Sequence, residues 1–449
     1  MTALAYGLGT LGRDMVAAMI GMFLMFYLTD VLQIGGSELV AVTIIMVAMR
    51  IFDAVNDPFM GMIVDNTKTR WGKFKPWMAV GSLLWAITSV LMFSDFGVTG
   101  WGFVVVFALT YIVFEIAYTI NDISYWGMLP SLTRDQKERE RIGVVARICA
   151  NIGLFSVVVG IVPITKMLGE RAGSLQRGWF WLAVIVAAIM LILQLLPILF
   201  TREKVQVQTG SDGLKGLWRA IAGNDQLLWT TLGMTIFMTG YTTTTSLGLY
   251  YFKYVYGDED AYSVFALILG ITQLVALALF PAVSKLTSRF RIHLGATILM
   301  LIGYGIFIFA ESSMAIIAVA GVLLFTGQAA VQLLMVMFIA DSAEYGQWKL
   351  GRRNEAVTFA LQPFVYKLSN ALATGVLGMT LMIGGVTEVV DQLDAFGRST
   401  IKVSMIVLPM ILVLVSFLIL RAKYKLDERT YAGIVADLRE RESTTRLAP

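Results

Sequence analysis

Uninterrupted runs of apolar residues constrain the fold of this chain more than any other feature. The run LAVIVAAIMLILQLLPILF at residues 182–200 carries no charge and is apolar on every face. A helix needs about 20 mostly apolar residues to cross a bilayer, whereas the strands of a membrane barrel are about ten residues long and alternate in polarity. The run therefore predicts a membrane-spanning helix.

Segments of this kind divide the chain into twelve predicted spans. The composition agrees, because 57% of the 449 residues are hydrophobic and 15% are charged, against about 25% charged in a soluble domain. A cleaved signal peptide is not expected, since residues 1–5 carry no basic charge. The predicted spans are 5–32, 38–64, 76–95, 101–130, 142–166, 178–200, 226–254, 261–284, 292–311, 314–341, 355–384 and 400–422.

The basic residues are concentrated on one side of these spans. Of the 35 Lys and Arg, twenty-five lie in the loops after even-numbered spans or in the C-terminal tail, and six lie in the other loops. Since short basic loops stay in the cytoplasm, we expect both termini there, in a multi-pass protein of the cell (inner) membrane. The net charge of +4 reflects this topology and does not indicate a nucleic-acid partner.

A polar interruption near the midpoint predicts two halves. Residues 201–225 contain the segment GSDG at 210–213, which is typical of a linker. We interpret the chain as a six-helix bundle (1–200), a central cytoplasmic loop (201–225), a second six-helix bundle (226–424) and a cytoplasmic tail (425–449). A basic turn recurs after spans 2 and 8. This all-α arrangement predicts the major facilitator fold, with its cargo site near the bilayer midplane.

Few residues in the chain are suited to catalysis or metal binding. With one cysteine, Cys149, there is no internal disulfide, and with one histidine, His293, there is no His-rich metal site. We therefore expect neither an enzyme nor a cofactor.

Ionisable residues inside the spans are the main functional candidates, because each costs at least about 2.5–3.5 kcal/mol near the bilayer centre. Two of them, Asp53 and Asp57, lie four residues apart on one helix face, so both can remain ionised only with a cation between them. Asn56 adds an oxygen ligand. The pair is interpreted as a site for Na⁺ or H⁺; alternatively, Asp53 pairs with Arg50 for structure alone. The candidates in the first half are Arg13, Asp14, Arg50, Asp53, Asp57, Glu115, Asp122 and Arg147.

Span 4 presents a second polar face. Tyr118, Thr119, Asp122 and Trp126 follow one another at helical spacing. An aromatic face stacks on a sugar ring while a carboxylate accepts hydroxyl hydrogen bonds, so the face predicts carbohydrate binding. The aromatic residues alone would also fit a membrane-interface belt. Arg147 either binds the same ligand or neutralises nearby carboxylates, and Arg13 fits a snorkelling interface residue equally well.

Several longer motifs resemble one family, the glycoside-pentoside-hexuronide:cation symporters. They are YGLGTLGRD (6–14), MFYLTD (25–30), MRIFDAVNDPFMG (49–61), TRWGKFKPW (69–77), YTINDISYWGMLPSLTRDQKERER (118–141) and DSAEYGQWKLGRRNEAVTFALQPFVYK (341–367). The resemblance implies cation-coupled sugar symport by alternating access in the lipid bilayer. It implies a small-molecule sugar or glycoside as the substrate. We expect the transporter to act as a monomer.

The resemblance also implies roles for individual residues. The coupling cation is bound at positions matched by Asp53, Asp57, Asn56 and Thr119. The sugar is held at positions matched by Asp14, Asp122, Trp126 and Arg147, and a lysine near both sites is matched by Lys367. Two departures from the family's best-known member are Arg13 in place of lysine and Pro363 in place of a hydroxyl residue. The second leaves the sugar undefined.

Two other functions compete with sugar symport. A membrane prenyltransferase would use the Asp-x-x-x-Asp spacing of DAVND to bind Mg²⁺ and pyrophosphate, but its second motif would have to come from Asp391 and Asp394 in an outward loop. A transporter of the same fold with a lipid or other amphiphile as cargo would bind the headgroup through Asp14, Asp122 and Arg147.

Overall fold

The computed structural model describes residues 2–133, 136–203, 223–310, 313–350, 355–386 and 392–447. These residues form helices and connecting turns, with no strand among them. The helices are α1 (Thr2–Phe26), α2 (Gly36–Asn66), α3 (Lys75–Met92), α4 (Gly100–Leu132), α5 (Gln136–Ala172), α6 (Leu175–Phe200), α7 (Asp225–Tyr251), α8 (Ala261–Leu286), α9 (Arg289–Phe309), α10 (Met314–Leu350), α11 (Glu355–Ile383), α12 (Ala395–Lys423) and α13 (Glu428–Leu447).

Every predicted span coincides with one of these helices. Within the described residues, nine helical segments are long and apolar enough to cross a membrane. The helices α2, α7 and α11, which coincide with three other predicted spans, are not among them. The count of twelve spans and the cytoplasmic termini stay predictions, and residues 204–222 of the predicted central loop lie outside the described residues.

Exposed apolar side chains cover the helix surfaces. Leu199 is 66% exposed and Phe309 is 84% exposed, values that would be costly in water when repeated along many helices. These side chains form the surface that a transmembrane helix presents to lipid.

Side-chain caps and backbone hydrogen bonds fix the helices locally. Ser174 Oγ accepts a hydrogen bond from the Arg177 amide (3.2 Å) where α6 begins, and Asn224 Oδ1 accepts one from the Leu227 amide (3.0 Å) where α7 begins. Along α7, Thr239 and Thr243 donate to the carbonyls four residues earlier. Such hydroxyls satisfy themselves within their own helix.

The chain divides into two compact units. The first lies within residues 1–210, 245–267 and 374–401, and the second within 211–244, 268–373 and 402–449. The boundaries of the two predicted bundles stay a prediction. A buried cluster in the first unit joins five of its helices, α1 to α5; its members are Tyr6, Met60, Val64, Phe74, Met78, Tyr125, Met128, Leu132, Ile142 and Ala146.

Glycines bring α1 close to its neighbours in the first unit. A Cβ atom on Gly12 would lie 2.7 Å from the Met190 Cα atom of α6, and one on Gly9 would lie 2.6 Å from the Tyr125 phenol oxygen. On the facing helix α5, a Cβ atom on Gly153 would collide with the Leu11 carbonyl. Small residues at these positions allow the close backbone approach that is common between membrane helices.

The substitution Gly153→Ala is expected to destabilise the protein. Its methyl group would meet backbone that cannot move aside, and overpacking of this kind costs about 1–3 kcal/mol. Thermal unfolding in detergent measures the effect. The matched control on the same helix is Gly143→Ala, where a Cβ atom meets no described atom within 4 Å, and an equal melting temperature for the two variants would contradict the packing argument.

π-helical turns in the first unit follow the ends of two helices. Residues Tyr27–Val31 continue α1, and Phe252–Tyr256 continue α7. The ammonium of Lys253 lies 2.7 Å from a carboxylate oxygen of Asp30, whose side chain is almost fully buried, and Tyr254 donates to the same oxygen. These contacts tie the ends of the two helices together.

Polar contacts also join α7 to other helices in the second half of the chain. Thr244 of α7 lies 2.9 Å from the Tyr304 hydroxyl of α9 and 3.0 Å from the Met405 carbonyl of α12. Ser369 of α11 donates to the Thr235 carbonyl (3.0 Å). Hydrogen bonds of this kind hold membrane helices together where burial of apolar surface gives no driving force.

Candidate functional site

An ion pair between α1 and α4 lies at the centre of the predicted sugar site. Arg13 is 4% exposed; its guanidinium pairs with Asp122, and its Nε atom donates to Asn121 Oδ1 (2.8 Å). The guanidinium carbon also lies 4.5 Å from the centre of the Tyr125 ring. Arg13 is therefore a buried residue of this site, and the snorkelling alternative is wrong.

Reciprocal hydrogen bonds between two tyrosines fix α1 against α4. The Tyr6 hydroxyl donates to the Tyr125 carbonyl (2.7 Å), and the Tyr125 hydroxyl donates to the Tyr6 carbonyl. Their rings stack with centroids 4.5 Å apart. Because these bonds use backbone carbonyls on both helices, they set the height at which Arg13 meets Asp122.

The remaining predicted sugar ligands surround this pair. Arg147 of α5 is exposed and its guanidinium lies 5.3 Å from the Trp126 ring centre. Asp14 is half-buried and lies within electrostatic reach of Arg13, Arg147 and Asp122. The first unit thus brings together two carboxylates, two guanidinium groups and an indole face.

This group has the chemistry of a carbohydrate site. Carboxylates accept hydrogen bonds from sugar hydroxyls, guanidinium groups donate them in pairs, and the indole offers a flat apolar face. The contacts of Arg13 with Asp122 and Asn121 hold these polar groups in a fixed geometry.

The predicted cation site lies one turn away on α4. Thr119 donates a hydrogen bond to Asp53 of α2, and both side chains are buried, with 1% and 4% exposure. Thr119 and Asp53 are thereby in contact, as the resemblance implied. Asn56 and Asp57 are half-buried and follow Asp53 on α2; their role as cation ligands stays a prediction. The described residues contain no group of three or more His, Cys, Asp or Glu side chains arranged to hold a metal ion.

Tyr118 lies between the two predicted sites. Its ring meets Trp85 edge to face, with centroids 5.3 Å apart. The phenol is within electrostatic reach of Asp122 on one side and of Asp53 and Asp57 on the other. Tyr118 therefore has carboxylates of both predicted sites within electrostatic reach.

Lys367 belongs to the second unit. It is 8% exposed and lies on α11. The preceding residue, Tyr366, accepts a hydrogen bond from Gln332 Nε2 (2.6 Å), and Gln328 Nε2 donates to Gln332 Oε1 (3.1 Å). The placement of Lys367 beside the cation and sugar sites stays a prediction. Of the outward pair Asp391 and Asp394, Asp391 lies outside the described residues.

Sequence reasoning missed several polar residues around the site. Asn121 holds Arg13 and also donates to the Met78 carbonyl (3.3 Å). Trp85 is fully buried within 6.0 Å of the Arg13 guanidinium. Asn121 carried a signal, since it is a polar residue next to Asp122 in an apolar span, whereas Trp85 carried none.

Comparisons with known proteins show which family the whole chain resembles. A family model described as MFS/sugar transport protein matches residues 5–428. The chain is 31% identical to a lactose permease of Lactobacillus delbrueckii subsp. bulgaricus, over 98% of this chain and 72% of the permease. It is 33% identical to a raffinose carrier protein of Pediococcus pentosaceus, over 97% and 71% of the respective chains.

A solved structure supports the same fold. The partially occluded, inward-open structure of the E. coli xylose transporter superposes with a TM-score of 0.65 at 14% identity, covering 96% of this chain and 98% of that one. The described helices thus follow the arrangement of a known transporter despite the low identity.

Proposed function

Because the chain belongs to the MFS/sugar transport protein family, we propose that it carries a sugar or glycoside across the cell membrane in symport with a cation. The chain is a multi-pass membrane transporter of the major facilitator fold and not an enzyme. Membership in a transporter family also rules out the alternative that the chain is a membrane prenyltransferase. Its relatives include permeases for lactose and raffinose, which supports a glycoside as the substrate.

The main support for coupling between cation and sugar binding is that residues of both predicted sites lie on one helix, α4. On α4, Thr119 binds Asp53 and, three residues later, Asp122 binds Arg13. In the proposed mechanism, a cation at Asp53 and Asp57 neutralises the face of α2 that lies within electrostatic reach of Tyr118. This lowers the electrostatic cost of docking sugar hydroxyls at Asp122 and Asp14.

Coupling of this kind is reciprocal. The cation must raise the affinity for the sugar by the same factor by which the sugar raises the affinity for the cation. One elementary charge that moves through a potential of 100 mV supplies about 2.3 kcal/mol, enough to concentrate the sugar about fiftyfold. The loaded carrier then exposes the sites to the other side of the membrane as a monomer.

The residues fit Na⁺ or H⁺ as the coupling ion. Carboxylate, amide and hydroxyl oxygens of Asp53, Asp57, Asn56 and Thr119 are ligands that a hard cation prefers. A carboxylate pair in a low-dielectric setting also takes up a proton. Both ions neutralise the same face of α2, so either supports the proposed mechanism.

Sugar counterflow in proteoliposomes tests the proposal. Vesicles loaded with an unlabelled glycoside, pentose or uronic acid are diluted into the labelled sugar, with and without Na⁺ and at different pH values. We expect entry of at least one sugar to be stimulated by one cation. An amphiphile carrier would instead move labelled lipid, and the absence of cation-stimulated entry for every sugar would overturn the proposal.

A further inference from the structure

The helices α2 and α4 run parallel past each other in the first unit. Near their N-termini, Glu38 of α2 and Gly100 and Phe103 of α4 line one cavity of about 470 Å³. Near their C-termini, Met60 and Met128 belong to the same buried cluster. Between these ends, the hydrogen bond from Thr119 to Asp53 fixes the register of the two helices.

A second pair of polar residues, Arg50 of α2 and Glu115 of α4, lies one helical turn from that hydrogen bond toward the N-termini. The two residues are at the same height along the paired helices. Arg50 precedes Asp53 by three residues and Glu115 precedes Thr119 by four, so both lie on the faces that already meet. Glu115 is 4% exposed, and its carbonyl lies 3.0 Å from the Thr119 hydroxyl. This level contains a carboxylate and a guanidinium group that neither predicted site uses.

The Arg50 guanidinium is confined to this level. Its Nε atom is buried and has no hydrogen-bond partner among the described residues, and one terminal nitrogen lies 4.0 Å from the position of a Cβ atom on Gly21 of α1. Its electrostatic partners are, in decreasing order of effect, Tyr111, Glu115, Tyr118 and Asp53. Arg50 therefore has two carboxylates within electrostatic reach, Glu115 on α4 and Asp53 on its own helix.

We propose that Glu115 is a positioning residue, whose carboxylate holds the Arg50 guanidinium away from Asp53. The proposal rests on the proposed function. A buried guanidinium must be paired with a negative charge, and without Glu115 the nearest carboxylate on its own helix is Asp53. An arginine paired with Asp53 would supply the positive charge that the coupling cation supplies, and the cation would then have to displace it.

Neutralising Glu115 tests whether its carboxylate keeps the Arg50 guanidinium away from Asp53. The full-length Glu115→Gln variant is reconstituted in proteoliposomes, and the cation concentration for half-maximal sugar counterflow is measured. We expect it to rise by about tenfold or more, since the cation must compete with a covalently tethered arginine for Asp53. Sugar affinity at saturating cation is expected to stay within about twofold of the wild type, because the sugar ligands are untouched.

The double variant Glu115→Gln/Arg50→Gln separates positioning from mere structure. It removes both charges together, so Asp53 is again available, and the cation dependence should return to that of the wild type. If the Glu115 carboxylate instead bound the cation directly, removing Arg50 as well would not restore the cation dependence. The exposed α5 residue Glu170 gives the matched control, Glu170→Gln, which should behave as the wild type does.

Three outcomes would overturn the proposal: an unchanged cation dependence in Glu115→Gln, an unrestored one in the double variant, or a parallel loss of sugar affinity in both. A wild-type protein without cation-stimulated counterflow would instead refute the proposed function. If the single variant fails to insert, the double variant must still insert and couple, because its buried charges are balanced.

Discussion

Replacing Asp122 by asparagine is expected to abolish sugar transport. The carboxylate pairs with Arg13 and lies beside Asp14, Arg147 and Trp126, so the substitution removes an acceptor for sugar hydroxyls and leaves Arg13 with a weaker partner. Loss of a hydrogen bond to a charged group costs about 1.5–3 kcal/mol, which corresponds to a loss in affinity of about 10- to 150-fold for each bond to the sugar. Initial rates of labelled sugar counterflow measure the effect.

The Arg13–Asp122 pair also predicts a cost in stability. A buried ion pair that loses one partner costs about 3–5 kcal/mol, so the melting temperature should fall in Asp122→Asn. Adding Arg13→Gln should restore part of the stability but none of the transport. The exposed residue Asp258 provides the control Asp258→Asn, and wild-type transport by Asp122→Asn would refute the assigned sugar site.

Replacing Asp53 by asparagine is expected to uncouple the sugar from the cation. The neutral side chain still accepts the Thr119 hydrogen bond, but it mimics the state in which the cation has already neutralised the face. Sugar binding should therefore persist and become independent of Na⁺ and pH, while uphill accumulation falls from about fiftyfold to none.

Two measurements on the same vesicles check this prediction. Sugar affinity is titrated with and without cation, and accumulation is followed after a membrane potential of 100 mV is imposed. The carboxylate-preserving variant Asp53→Glu is the control for side-chain size. If sugar binding by the Asp53→Asn variant still depends on a cation, Asp53 is not part of the cation site.

The helices and the charged candidates could be predicted from sequence for a simple physical reason. A backbone in lipid must satisfy its own hydrogen bonds, so an apolar run such as 182–200 has helix as its only solution apart from a barrel. The cost of burying charge likewise singles out Asp53 and Asp122, because a carboxylate in an apolar span is retained only where it has a function.

Helix ends and side-chain partners could not be predicted in the same way. Hydropathy reports the thickness of the hydrocarbon core, whereas α5 continues as a helix from Gln136 to Ala172, well beyond the predicted 142–166. Periodicity places Arg13 on a face of α1 but does not say which of the other helices it meets. Its partner Asp122 is 109 residues away in sequence, and the contact depends on glycines that let α1 approach closely.

The Arg13–Asp122 pair has a consequence for the order in which the helices reach their final positions in the membrane during synthesis. A ribosome adds about 5–20 residues per second, so the 109 residues between the partners take roughly 5–20 s to follow. During that interval α1 carries Arg13 and Asp14 without the helix that balances them. The settling of α1 in the bilayer therefore waits on the arrival of α4.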